Sequence, residues 1–270
     1  VEPDTATLRA FPVGPSEPQL FPPGIFSDPG FDNPPGNTRE DFTAAIDWGD
    51  GTAAETADLT LIETPGKEGV LTRGSVSNAK HRYAANGVYS VSVRVADDDG
   101  GAGLASFKAM VDREPPVTTV SYAGDHVLAV DAPGAVPPDI AAFLSPQARI
   151  VLSAMDPVVN GVAFGVQRTY WRDGASGTFN LYIGPFRLPS GPASREGVHV
   201  VEYFSVDERG NEEVHRLVRV GVDAAPPISR LDIGAPKTGL LDGTLLVSAK
   251  TRFEVVSGDP VSADVASGVL

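Results

Sequence analysis

The residues best equipped for chemistry in this sequence are carboxylates. Asp47 and Asp50 bracket Trp48-Gly49 in D-W-G-D-G-T, and Asp97, Asp98 and Asp99 run together in D-D-D-G-G. Calcium takes six to eight hard oxygen ligands, which clustered carboxylates can supply, so these five are the candidate metal ligands. A plainer role accounts for the same residues. Asp before Gly is favourable turn chemistry, an acidic run is usually a solvated loop, and no EF-hand or nonapeptide spacing is present. The four histidines suggest less. His81 and His199 stand beside aromatic-rich stretches, His126 and His215 stand alone, and the chain has no H-E-x-x-H and no cysteine. Zinc needs three or four convergent ligands, and acyl transfer on an α/β-hydrolase needs a G-x-S-x-G elbow that is also missing. The reading is therefore a non-enzyme with no cofactor other than calcium.

Aromatic side chains offer a second kind of site. Tyr170, Trp171, Phe179 and Tyr182 lie close together in sequence, and exposed rings can stack on sugars. Neighbours on a strand point to opposite faces, so Tyr170 and Trp171 cannot both be inside. We take this pair as the candidate ligand contacts, with the Ala- and Pro-rich insertion at 125–142 expected to cover Trp171.

Those residues must be held by strands. Phe42, Ala44, Ile46 and Trp48 alternate with Thr43, Ala45 and Asp47, and the same period of two returns at Tyr89–Val95 and at Ala105–Val111. Gly/Asp turns separate these runs, and no stretch carries a helical period. The pattern predicts an all-β sandwich. Gly 29 and Pro 24 fall at intervals, as turn punctuation does. Residues 1–41, rich in Pro and Gly around Leu20-Phe21 and Ile25-Phe26, are expected to add an irregular edge strand.

Charge and composition narrow the partners. A net charge of -14 repels phosphate backbones and anionic membrane surfaces, and no run reaches the length a spanning helix needs. Nucleic acid and membrane insertion are excluded on these grounds. The chain starts at Val1 without a leader pattern, so it reads as a fragment or a processed piece of something longer, any signal peptide lying upstream or having been removed.

An internal repeat sets the organisation. D-R-E-P-P-V-T from Asp112 returns as D-A-A-P-P-I-S from Asp223. Residues 143–167 align with 246–270 at an offset of 103, with nine identities in 25 pairs, enough to assign the second stretch to the same repeat. Three modules result: 1–112, 113–223 and a truncated copy at 224–270. Pro-Pro at each join restricts the hinge and favours an extended arrangement.

Two stretches resemble known families. W-G-D-G-T with H-R-Y-A-A-N-G-V-Y-S-V-S-V-R-V-A-D-D-D-G-G (His81–Gly101) resembles the polycystic-kidney-disease (PKD) repeat over about 38–112. Y-W-R-D-G, G-P-F, G-V-H and S-V-D-E-R-G-N-E-E resemble a bacterial immunoglobulin-like repeat over 113–223. The resemblance implies tandem immunoglobulin-like β-sandwiches of a secreted or cell-surface bacterial protein. They would serve as extracellular spacer or interaction modules, with flanking domains of the same polypeptide as partners. It also implies, as alternatives, adhesion to polysaccharide or to a cell-surface protein in the service of a secreted hydrolase, and calcium binding by some PKD-like modules. Trp48, Tyr83, Tyr89 and Phe107 are then the expected structural core of the first module.

Overall fold

A computed structural model describes residues 2–3, 19–20, 24–55, 60–77, 79–131, 135, 137, 139–188 and 196–268. The fold is all-β, a tandem of immunoglobulin-like sandwiches; two short 3₁₀ turns, Pro34–Gly36 and Ala129–Asp131, are the helical pieces among the described residues. Proximity along the backbone groups Val1–Val117, Met155–Gln167 and Val206–Glu213 into one compact unit. Thr118–Ala154, Arg168–Ser205 and Val214–Leu270 form the other.

The first unit holds β1 (Glu2–Pro3), β2 (Gln19–Leu20), β3 (Gly24–Asp28), β4 (Phe42–Asp47), β5 (Thr60–Thr64), β6 (Thr72–Ser77), β7 (Lys80–His81), β8 (Gly87–Asp97) and β9 (Ala102–Val111). One sheet runs β1-β3-β6-β5, the other β4-β8-β9, and β2 pairs with β7. Alternation decides the register, because a one-residue slip would turn every apolar side chain to water. Ile46 pairs with Val93, and Val93 with Ala105, so one face of the three-stranded sheet is apolar along its length. Phe26 and Val76 from the other sheet close on it, with the Phe26 and Phe42 rings 4.9 Å apart. Each large apolar side chain buried here stabilises the unit by about 1.5–3 kcal/mol. Residues 1–41 supply the expected edge strand as β1, at the margin of its sheet, but the Ile25-Phe26 piece lies further in. That piece is β3, an interior strand paired on both sides, because 24–28 contains no proline to interrupt the ladder and Phe26 has a core to fill. Leu20 lies in β2, and Phe21 falls outside the described residues.

The second unit starts with β10 (Val117–Ala123), β11 (His126–Leu128), β12 (Ala142–Leu144), β13 (Arg149–Met155), β14 (Val166–Asp173), β15 (Asn180–Leu181), β16 (Gly197–Asp207) and β17 (Arg216–Val222). The pair β10-β13 faces a six-stranded sheet ordered β11-β12-β17-β16-β14-β15. Ile150 and Leu152 of β13 share a core with Val201 and Tyr203 of β16 and with Val220 and Val222 of β17. The insertion at 125–142 supplies β11 and leads into β12, and β12 runs parallel to β17, pairing Ala142 with Val220. Its described residues therefore extend the sheet at the edge opposite β14-β15 and do not cover Trp171. The third repeat adds β18 (Ile228–Ile233), β19 (Lys237–Gly239), β20 (Leu245–Val247) and β21 (Phe253–Gly258), as the pairs β18-β21 and β19-β20.

Candidate functional site

The D-W-G-D-G-T hairpin is built from its own side chains. Asp47 accepts a hydrogen bond from the Gly49 amide at 2.9 Å, and Asp50 accepts from the amide and the hydroxyl of Thr52. Gly49 has φ +74, and a Cβ there would meet the Ser90 carbonyl oxygen at 2.4 Å, so this position admits only glycine. Asp50 also pairs with His81 Nε2 at 2.8 Å, and the His81 ring stacks flat on the Trp48 indole at 4.7 Å. The Tyr83 hydroxyl donates to the Trp48 carbonyl and its ring stacks on Tyr89, whose own hydroxyl donates to the Ala85 carbonyl. Trp48 and Tyr83 are buried, and Tyr89 and Phe107 pack partly exposed against the same core. Burial pushes the Tyr83 phenol well above its ordinary range. These residues tie the hairpin to the sandwich.

Burial would raise the Asp50 carboxyl, but the hydrogen bonds from Thr52 and His81 outweigh it and hold the group at about 2. An acid whose folded pKa is depressed stabilises the native state above its ordinary value, and that stability is lost as pH falls through the folded value. With Asp50 only 13% exposed, the shift from 3.8 to about 2 corresponds to about 2 kcal/mol. Asp50→Asn is expected to lower the urea midpoint of the first unit at neutral pH, with the difference from wild type closing as pH approaches about 2. A constant difference across that window would show that the charge of Asp50 is not the cause.

The five candidate metal ligands do not converge. Asp47 and Asp50 serve the hairpin, Asp98 accepts from the Asp41 amide at 3.1 Å, and Asp99 is exposed. Asp97 instead joins Asp28 and Glu40, with ligand oxygens of all three within 4.8 Å of one another. Glu40 Oε1 is buried without a hydrogen-bond partner among the described residues. Burial, and then the charges of Asp28 and Asp97 to Asp99, push the Glu40 carboxyl up to about 7.

A second group brings together Asp112, Asp156 and Asp207, again within 4.8 Å. Asp112 and Asp207 are fully buried. Asp112 accepts from Asn86 Nδ2 and the amides of Glu114 and Phe164, while Asp156 accepts from the amides of Phe164 and Gly165. Asp207 takes the amides of Arg209 and Asn211 and the Asn211 side chain. Burial, with the charges of Asp156 and Asp207, raises the Asp112 carboxyl above the usual carboxylate range. Much of the motif recurs one repeat later: Asp223 accepts from the Ser267 amide, and Asp259 from the Gly268 amide and the Ser267 hydroxyl. Neither group forms a contiguous sequence motif. The available signal was the Asp that precedes each P-P and the D-P inside the aligned repeat.

Trp171 and Tyr170 point to opposite faces. Trp171 lies against the core of the second unit and stacks on Phe186 of G-P-F with centroids 3.5 Å apart, so it is that ring, and not the insertion, that shields it. Tyr170 stacks on Phe204, which also meets Phe179 and His215. Arg172 donates through Nε and Nη2 to Glu202 Oε2, and His215 Nδ1 lies 2.7 Å from Oε1 of the same carboxylate. The His215 and Arg172 hydrogen bonds hold the Glu202 carboxyl below its ordinary value. His199 pairs with Asp173 of Y-W-R-D-G at 2.9 Å.

No protein-family profile matches the chain, and no curated protein does. Among solved structures, the fibronectin(III)-like modules of Clostridium thermocellum CbhA align with 67% of this chain and 78% of theirs, at 15% identity and a TM-score of 0.27. Likeness at that level carries no argument about function, and the sandwich assignment rests on the sheets themselves.

Proposed function

We propose that this chain is a run of non-catalytic spacer and interaction modules from a larger secreted or cell-surface bacterial protein, of PKD-like and bacterial immunoglobulin-like type. The observation that carries the reading is repetition: Asp112 and Asp156, with the backbone amides they accept from, are rebuilt as Asp223 and Asp259. Repetition of a whole scaffold with its polar groups turned inward suits a protein that needs length and surface. The expected result is that deleting 113–223 from the full-length protein leaves the turnover of any appended catalytic domain on a small soluble substrate unchanged. Loss of that turnover would assign these modules a direct part in chemistry.

Calcium stabilisation is a second reading, favoured by the position of Asp97. Asp28, Glu40 and Asp97 offer hard oxygens at ligation spacing, and the orphaned Glu40 Oε1 is the kind of buried acceptor that a cation satisfies, so the donor set fits calcium. A ligand that binds only the folded state raises the midpoint by mass action. The first unit is expected to melt higher in calcium than in chelator, and Glu40→Gln to shrink that difference. Equal midpoints in wild type end the reading. The sugar-binding alternative falls to Tyr170, since Trp171 is stacked on Phe186. It requires retention on insoluble polysaccharide that Tyr170→Ala abolishes.

A further inference from the structure

A half-open cleft of about 310 Å³ in the second unit is lined by Asp125, His126, Phe143, Ser145, Asp223 and Ser267, together with two aliphatic side chains. None of the described lining residues is Lys or Arg. Its polar groups are mostly acceptors. Asp223 takes one amide on each oxygen, from Ala225 and Ser267, and each oxygen keeps a further lone pair. His126 Nδ1 lies 2.7 Å from the Gly124 carbonyl, which can only accept, so in the neutral ring Nε2 is the acceptor. Ser145 Oγ is buried with no hydrogen-bond partner among the described residues. The Ser267 hydroxyl is turned to Asp259, which leaves its lone pairs open.

Two carboxylates, an imidazole acceptor and an unmatched hydroxyl make an electronegative recess that calls for a ligand rich in N–H and O–H donors and carrying positive charge. The carboxylates of Asp125 and Asp223 and the His126 ring are not drawn together within 4.8 Å as a metal set would be. Such a spread suits a molecule with donors spaced along its frame better than a bare ion. Phe143, packed in the core against Ile140 and Val265, closes the apolar floor of the cleft. We propose that this cleft binds a small hydroxylated primary amine, of the amino-sugar class, with the ammonium held between the Asp125 and Asp223 carboxylates and its hydroxyls on Ser145 and Ser267.

The test is an amide-shift titration of the whole chain with glucosamine, with glucose and N-acetylglucosamine as uncharged counterparts and Nα-acetyl-lysine amide as an ammonium without ring hydroxyls. Glucosamine is expected to move the amides of Asp125 to Val127 and of Ser145 saturably, and the uncharged sugars to leave them in place. Asp125 is exposed, so Asp125→Asn should fold; it is expected to weaken glucosamine binding about fivefold or more through loss of one charge contact. Ser145→Ala should weaken it while sparing the lysine derivative. Shifts of equal size with glucose, no saturable shift with glucosamine, or an Asp125→Asn chain that binds as wild type would each overturn the proposal. Tighter binding of the lysine derivative than of glucosamine would overturn the amino-sugar assignment.

Discussion

Replacing Trp48 by Ala is expected to destabilise the first unit by about 3–5 kcal/mol, the range for emptying a large aromatic site in a packed core. The indole is 1% exposed, sits in the apolar cluster between the sheets and lies flat on His81. Its removal leaves a void that the β-ladders on either side cannot close without breaking register. The imidazole of His81, itself buried, would lose its stacked partner and keep the edge contact with Tyr83 and the pairing with Asp50. Since typical domain stabilities are about 5–15 kcal/mol, a loss of this size is a large fraction of the total, and the midpoint should fall by about 10 °C or more. The chain holds two tryptophans, so in the variant all indole emission comes from Trp171 and reports the second unit alone. Calorimetry then follows the first unit. A melting profile identical to wild type would mean that the cluster around residue 48 does not hold the unit together.

The second large expected effect is a contrast between two copies of one position. Ile150 of β13 and Phe253 of β21 correspond in the repeat, yet Ile150 is 0% exposed and Phe253 is 56% exposed. Leu152 and Val255 repeat the contrast at 5% and 70%. In the earlier copy the six-stranded sheet covers this face, and Thr118 is sealed by hydroxyl bonds in which Ser205 links it to Thr169. In the later copy the described residues provide only β18-β21 and β19-β20. Ile150→Ala is therefore expected to cost about 2–5 kcal/mol, whereas Phe253→Ala should stay within about 0.5 kcal/mol. Hydrogen exchange should show the same division, with the amides of β13 protected far longer than those of β21. A Phe253→Ala penalty as large as that of Ile150→Ala would show that something covers this face.

Much of the architecture was readable because it is written in local alternation. The runs Phe42–Trp48, Tyr89–Val95 and Ala105–Val111 became β4, β8 and β9, since in a half-buried strand the period of two and the sheet's two faces are the same fact. The repeat was readable for a similar reason: an Asp before each P-P and a shared D-P survive in a single chain. What resisted reading was convergence. Asp28, Glu40 and Asp97 are separated in sequence, as are Asp112, Asp156 and Asp207, and only the packing of the folded chain brings each set together. The neighbouring acids 97–99 looked like a site because adjacency in sequence is visible, although only Asp97 joins a carboxylate group at ligand spacing. Trp171 shows the same limit in the aromatic residues. Its covering ring comes from Phe186, which no spacing rule identifies, and the insertion expected to cover it forms β11 at the sheet edge.

The parallel pairing of β12 with β17 bears on how the chain emerges from a ribosome. Ala142 to Leu144 find their hydrogen-bond partners in Val220 to Val222, at the far end of the same repeat. During synthesis β12 and the hairpin-mate β11 must wait, edge uncovered, until nearly all of the intervening polypeptide has been made. Non-local pairings of this kind slow folding and prolong the exposure of sticky edges. The acidic character of the whole chain, through repulsion between nascent copies on neighbouring ribosomes, lessens the hazard during that interval.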